Sequence, residues 1–479
     1  NSPLAAFGKN LTELIHYPYG CTEQITAAAF PQIYFSELSE AIGSNQQSNK
    51  SAAYNVTEAI KKIKMRQLYS GGITLWDNQP SEHWWASAFA AHFLIEAKQN
   101  GYSVDEHLLN PLLQFLESKF RNKEMYKYFF NRGNSKMVAA PEIPYSLYVL
   151  SLAGKTPKSS MNYYKANPHL LTTEGKFLLA AAFALGGDKS KLNELLPQNF
   201  SEEISDKDVS NNFSSDLRNQ ALALNVLIDV QPQNLQIPVL AKQIAQEFNT
   251  RKYLSTQELS FGITALGKLA KKDAAGNIHA TIKSAGKLVG EVKNNSIKIS
   301  PAQLKTNQVE IETKGTGKLY YFWESSGISK SGKVKEEDNF LKVRRTFYDR
   351  YGRAITNFNF KQNDLVIVAI SLENAFGRSI ENVVITDMLP AGFEIENPRT
   401  KEIPGTNWIK NENYATYTDI RDDRIHFFVD AEKTKQTYYY AVRAVSPGTY
   451  QLGTLSADAM YAGEYHSYSG SGIIKVLNK

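Results

Sequence analysis

Near Gly276 the hydrophobic spacing changes abruptly from the three-to-four-residue repeat of helices to the alternation of strands, so the chain divides into a helical part and a strand-forming part. Upstream, the sequence is rich in Ala, Leu, Lys and Glu, and apolar helices are predicted over residues 84–97, 145–152, 176–185, 219–230 and 256–270. Most stop at a Gly-containing turn or a polar step, as in Ala153-Gly154-Lys155 and Gly186-Gly187-Asp188. They recur at roughly 35 to 60 residues, the spacing of stacked helical hairpins, and a helical solenoid closed into a barrel fits that pattern.

Downstream, strands are predicted over residues 277–282, 287–292, 309–312 and 319–323. Beyond a polar linker at residues 329–338, further strands are expected over 342–348, 365–372, 382–387, 424–430, 437–445 and 473–477. Turn residues such as Pro390-Ala391-Gly392 and Pro447-Gly448 separate them, as in an antiparallel sandwich of about 140 residues. The expectation is multidomain α plus β: a helical domain at 1–272, a β segment at 273–328 and a β-sandwich at 329–479.

Charge excludes one class of partner. The 54 Lys and Arg and 48 Asp and Glu are spread along the chain, without the basic stripe that a nucleic-acid groove needs. No apolar run approaches the about 18 residues of a membrane span, so any membrane contact is expected through an anchor outside the chain. The start, Asn1-Ser2-Pro3, has neither an initiator Met nor a leader and reads as an excised fragment or a processed chain. A single cysteine rules out an internal disulfide framework and a multi-Cys metal site. His83 and His92 lack the i, i+4 spacing of a helical metal site, and neither metal nor cofactor is expected.

That one thiol, Cys21, lies in Tyr17-Pro18-Tyr19-Gly20-Cys21-Thr22-Glu23-Gln24. On a tight turn entering a helix, a Cys sulfur can attack the carboxamide carbon of a Gln three residues on and expel ammonia, leaving a thioester. Such a bond is a stored electrophile, because thiolate leaves far more readily than an amine or alkoxide. Lys amines and Ser or Thr hydroxyls of a neighbouring protein are its nucleophiles. Gly20 is expected to permit a strained backbone approach, with residues 25–30 continuing as helix until Pro31 interrupts it. Thr22 and Glu23 are expected to shape the turn. By spacing alone, an inert buried thiol and a papain-like Cys/His nucleophile stand beside this reading, although none of the eight His residues sits in a recognisable partner motif.

The same run resembles the thioester signature of bacterial α2-macroglobulins, whose complement relatives carry a similar Gly-Cys-Gly-Glu-Gln; the departure, Thr22, falls at a variable position. Similarity continues in Gly71-Gly72-Ile73 with Leu75-Trp76, in Trp84-Trp85 and in Ser255-Thr256-Gln257-Glu258. It extends to Leu319-Tyr320-Tyr321, to residues 343–352, to Asp387-Met388-Leu389-Pro390-Ala391-Gly392 and to Asp458-Ala459-Met460-Tyr461. The resemblance implies an α/α helical-hairpin toroid as thioester domain, part of a flanking CUB-like domain and a C-terminal macroglobulin-like domain. It further implies a single-use protease inhibitor, not a turnover enzyme, exported to the periplasm or cell envelope. Its partners would be target proteases and upstream macroglobulin-like domains of the same parent chain. Cys21 and Gln24 would form the thioester, supported by Gly20, Thr22 and Glu23. Tyr17, Met460 and Tyr461 would shield it, with Glu464 helping to close that interface. Complement relatives that favour hydroxyl targets use a downstream His; the corresponding residues 131–140 contain none, which favours amines.

Two other functions are compatible with parts of the sequence. The same bond could anchor a covalent surface adhesin. A carbohydrate-active barrel could use Trp76, Trp84 and Trp85 as a sugar platform, although tryptophans at such positions more often anchor helix packing. It would also need paired carboxylates, and Glu82, Glu96, Asp105 and Glu106 read as solvated charges.

Overall fold

A helix that is apolar around its whole circumference must be surrounded by other helices. In a computed structural model, helices of this kind form the inside of a ring. The structure describes residues 10, 14–15, 20–34, 51–131, 133–197, 213–251, 253–272, 277–293, 297, 299–316, 334–396 and 406–478. The helices are α1 (Thr22–Ala29), α2 (Ala52–Met65), α3 (Trp84–Gln99), α4 (Glu106–Lys119), α5 (Glu142–Leu152), α6 (Lys158–Ala166), α7 (Thr173–Leu185), α8 (Lys189–Leu195), α9 (Asp216–Val230), α10 (Gln236–Thr250) and α11 (Thr256–Lys272). The odd-numbered ones pack side by side in chain order, and α11 returns against α1 to close the ring. In α3 every residue from Trp85 to Ala97 is buried, whereas the outer α10 buries a single stripe, Ile237, Leu240, Ile244 and Phe248. The toroid expected from the helical hairpins is the observed architecture.

Charged side chains are buried with the apolar ones. Glu96 of α3 accepts from Lys268 Nζ of α11 at 2.6 Å, lies 2.9 Å from His92 Nε2, and also accepts from the Tyr34 hydroxyl. Lys268 additionally bonds Asp229 of α9 at 2.7 Å. Burial alone would push the Glu96 carboxyl up, but Lys268 and His92 hold it down to about 2. Glu96 is therefore no solvated charge, as its sequence setting suggested; it joins three inner helices.

Residues 125–139 also depart from the all-helical expectation. They form a hairpin, β1 (Met125–Phe130) with β2 (Asn134–Ala139), whose register pairs Met125 with Ala139 and Phe130 with Asn134. Tyr126, Tyr128 and Phe130 recur with period two, and the turn uses Asn131 and Gly133 at positive φ. After α11 comes an antiparallel sheet of β3 (Asn277–Ser284), β4 (Lys287–Lys293) and β5 (Glu310–Thr316), with β3 in the middle. The strand expected over 319–323 lies outside the described residues. This sheet and the helices form one compact unit, and the remaining strands form a second.

The second unit is a β-sandwich. Its strands are β6 (Glu337–Asn339), β7 (Leu341–Asp349), β8 (Asn359–Lys361), β9 (Leu365–Asn374), β10 (Ile380–Met388), β11 (Phe393–Ile395), β12 (Tyr417–Arg421), β13 (Arg424–Ala431), β14 (Gln436–Ala444), β15 (Gly448–Leu452), β16 (Leu455–Ala459), β17 (His466–Ser469) and β18 (Gly472–Leu477). One sheet runs β11-β14-β9-β7-β6-β17-β16-β10-β13-β12 and a smaller one β15-β18-β8. The pairing is antiparallel except that β18 runs parallel to β8, and β6 begins inside the stretch read as linker. Alternation in the strands builds one core containing Val343, Val368, Ile385, Phe427, Tyr438 and Ile474. Inside it, Asp387 pairs with Arg345 and accepts from the Tyr440 hydroxyl at 2.7 Å. Among the described residues no helix is long and apolar enough to cross a membrane.

Removing one partner of a buried ion pair leaves an uncompensated charge. Lys268→Met is expected to cost about 3–5 kcal/mol by that mechanism. Denaturant unfolding followed by far-UV circular dichroism checks it, and adding Glu96→Gln should recover part of the loss.

Candidate functional site

Helix α1 begins at Cys21, which is its N-cap with extended backbone (φ −68°, ψ 165°). The first turn of a helix leaves N–H groups without partners, and a capping box satisfies two of them reciprocally. Here Cys21 Sγ accepts from Gln24 N at 3.5 Å, while Gln24 Oε1 accepts from Cys21 N at 3.2 Å. The usual Ser or Thr hydroxyl is replaced by sulfur, and the usual Glu or Gln carbonyl group is retained. The thiol and the carboxamide thus share one turn, and both residues are 1% exposed.

Each neighbouring residue of the motif is held separately. Thr22 donates its backbone N–H to Leu75 O at 2.8 Å and its hydroxyl to Thr74 O at 2.6 Å. Glu23, 0% exposed, accepts from Thr256 Oγ1 at 2.9 Å on both carboxylate oxygens and from Gln257 Nε2 at 2.7 Å. Thr256 and Gln257 open α11, so the carboxylate lies against that helix's N-terminal turn, where negative charge is favoured. The Ser255-Thr256-Gln257-Glu258 segment and Thr22-Glu23 are therefore two sides of one junction.

Gly20 departs from its expectation. A Cβ added there would meet nothing within 4 Å, so its backbone is not a strained close approach. What matters at Gly20 is its carbonyl, which accepts from Arg66 Nη2 at 2.7 Å. Arg66 also donates to Asp77 Oδ1 at 2.6 Å and to Thr22 Oγ1 at 3.3 Å. Sequence reasoning missed this residue. The signal available was its place just before the Gly71-Gly72-Ile73 segment, whose shape is fixed by Gly71 at φ +88°, where a Cβ would lie 2.3 Å from Pro111 O. Tyr17 lies outside the described residues. Met460 follows β16 in the second unit and donates its N–H to Asn382 O at 3.0 Å; Tyr461 and Glu464 are half-buried in the same turn.

The alternative sites come apart. Trp85 is buried, stacked on Tyr145 with ring centroids 4.8 Å apart, with the Arg218 guanidinium 4.7 Å from its ring. Trp76 is buried, and Trp84 donates Nε1 to Ser146 Oγ at 3.2 Å. These rings are packing anchors and form no platform. Glu82 pairs with Lys119 at 3.1 Å and Asp105 with Lys64 at 2.6 Å, at different places on the ring. Among the described residues no three His, Cys, Asp or Glu side chains are grouped to hold a metal ion.

His83 supports the site indirectly. It is the N-cap of α3, donating its backbone N–H to Ile73 O at 2.8 Å and accepting Ala86 N–H on Nδ1 at 3.2 Å. Only the neutral ring can accept, and burial pushes it down to about 4 from its ordinary 6.5. The unfolded ring takes up its proton near 6.5 and the folded ring does so only near 4, so this contribution is complete above pH 6.5 and lost as pH falls towards 4. His83→Asn, which keeps a cap without the titration, is expected to lose less stability than the unsubstituted chain between pH 7 and pH 5. Denaturation midpoints at those two values decide; equal losses would contradict the assignment.

Comparisons with known proteins agree with this architecture. The model of the A-macroglobulin TED domain matches residues 2–149, and that of the bacterial alpha-2-macroglobulin MG10 domain matches residues 341–464. Alpha-2-macroglobulin of Escherichia coli (strain K12) is 26% identical over 97% of this chain and 29% of its own length. That of Pasteurella multocida (strain Pm70) is 25% identical over 99% of this chain and 26% of its own. The chain thus spans under a third of the curated relatives it matches. Among solved structures, native E. coli alpha-2-macroglobulin from domain MG7 to the C-terminus covers 99% of this chain and 76% of that one, at 20% identity and a TM-score of 0.76. Salmonella alpha-2-macroglobulin reacted with methylamine covers 98% of this chain and 31% of that one, at 22% identity and a TM-score of 0.76. Two domain models in this order, and relatives aligned along nearly the whole chain, place it in the bacterial alpha-2-macroglobulin family, matching the C-terminal part of those proteins.

Proposed function

We propose that Cys21 Sγ and Gln24 Cδ form an internal thioester, and that within a larger parent protein this bond captures proteases through their surface Lys amines. The observation that carries the reading is the reciprocal cap, in which thiol and carboxamide are buried on one helical turn. A side chain whose only task was to cap would be Ser, Thr, Asp or Asn, all better acceptors than sulfur.

Formation expels ammonia; capture joins a target amine to the Gln24 carbonyl and returns the Cys21 thiol. The bond is consumed in the act, so the protein is a single-use inhibitor of endopeptidases and not an enzyme. Water competes with the amine, and Tyr17, Met460 and Tyr461 serve in this reading as apolar cover, with Glu464 helping to close it. In this reading a target protease cuts a bait segment that lies upstream in the parent, among further macroglobulin-like domains, and the rearrangement that follows exposes the bond to that protease. Export to the periplasm or cell envelope, where foreign proteases arrive, completes the reading.

Intact mass is the simplest test. Untreated protein should be lighter than its sequence by one ammonia, and methylamine should add at Gln24 while releasing one reactive thiol. Cys21→Ala should show neither change. Carefully handled protein with its full sequence mass and a reactive Cys21 would sink the proposal.

A further inference from the structure

We propose that Arg66 is a positioning residue for the acyl chemistry of Cys21 and Gln24: through the Gly20 carbonyl it holds the Cys21 backbone N–H as the donor that stabilises negative charge on Gln24 Oε1. This rests on the thioester reading above. In formation, the Sγ–Cδ bond forms, the Cδ–Nε2 bond breaks, and the thiol proton leaves with the nitrogen as ammonia. In capture, an amine adds to the same carbon, the C–S bond breaks, and a proton passes from the amine to sulfur. Both directions go through a tetrahedral carbon with its charge on Oε1, so one donor serves both.

That donor is Cys21 N, 3.2 Å from Oε1. Its direction is set by the planar peptide it shares with the Gly20 carbonyl, since N–H and C=O of one peptide point opposite ways. Arg66 Nη2 holds that carbonyl at 2.7 Å, and Nε is itself fixed by Asp77 at 2.6 Å. Arg66 is 8% exposed, so the cation acts in a low-dielectric setting and polarises the amide, strengthening its N–H as a donor. A guanidinium can make these contacts together from one rigid plane; an ammonium cannot.

The test compares Arg66→Gln, Arg66→Lys and Asp77→Asn with the unsubstituted full chain, using methylamine as probe. Intact mass gives the fraction of chains lacking ammonia, thiol release gives the aminolysis rate of those chains alone, and thermal melting checks folding. Arg66→Gln is expected to slow aminolysis per thioester by about tenfold or more. Arg66→Lys should restore part of the rate, and Asp77→Asn should slow it by a smaller factor. Simple loosening of the fold would do the opposite, because an uncovered thioester reacts faster with both methylamine and water. A folded Arg66→Gln that reacts at or above the unsubstituted rate overturns the proposal. Folded Arg66→Gln chains without a thioester support it if they keep the Gln24 amide mass and contradict it if they carry the hydrolysed acid. Should Arg66→Gln fail to fold, the Asp77→Asn rate decides by the same criterion. No ammonia deficit in the unsubstituted protein would bring down the thioester reading itself, whereas a normal deficit with unchanged variant rates overturns only the role of Arg66.

Discussion

Glu23 accepts hydrogen bonds from Thr256 and Gln257 across more than two hundred positions of sequence, and through that contact the first helix of the ring meets the last. A ring of inner helices has no stable intermediate closure: until α11 returns to α1, the apolar faces at both ends of the row lack a neighbour. The junction therefore does two things. It completes the core, and it fixes the turn on which Cys21 and Gln24 sit. A buried carboxylate is costly unless its oxygens find donors, and here the donors are supplied by the helix whose arrival closes the ring.

The same electrostatic logic recurs around the ring. The first turns of α1, α5, α7, α9 and α11 each carry an acid: Glu23, Glu142, Glu174, Asp216 and Glu258. Contacts between these turns bring them together, as in Glu174 with Arg218 and Ser215 with Glu258 at 2.7 Å. Helix N-termini gathered at one end concentrate positive partial charge, which the acids offset. The crowding is visible at Glu142, which burial, with help from Glu174 and Glu124, pushes up to about 7. A sulfur leaving as thiolate from Cys21 would depart at the favourable end of a helix.

How far the sequence revealed this depends on the kind of interaction. The inner helices were legible because α3, α5 and α7 are apolar on nearly all sides, a property of composition within a short window. Their starts at Glu142, Thr173 and Asp216 were placed three residues late, because first-turn residues are chosen for the helix end and look like loop. The hairpin at residues 125–139 carries its signal in alternating aromatics and an Asn-to-Gly turn, but that signal is short and lies between long helical patterns. Glu96 was misread because its partners Lys268 and Asp229 lie far away in sequence and nothing local announces them. Arg66 escaped for the same reason: an arginine closing an amphipathic helix resembles a surface residue until the carbonyl it holds is known. Cys21 and Gln24 stand out as a pair because the proposed chemistry needs them three residues apart, within a run that resembles a known signature.

Among the described residues, buried polar contacts attach helix α11 to the remainder of the ring near both of its ends. Thr256 and Gln257 hold Glu23 at one end, and Lys268 holds Glu96 and Asp229 about 18 Å further along at 1.5 Å per residue. One attachment is a pivot, but two define a line, so the closing helix can neither swing nor slide without breaking a buried polar contact. The seam of the toroid, where a circular assembly is mechanically weakest, is thereby made stiff, and Cys21 is mounted on its edge.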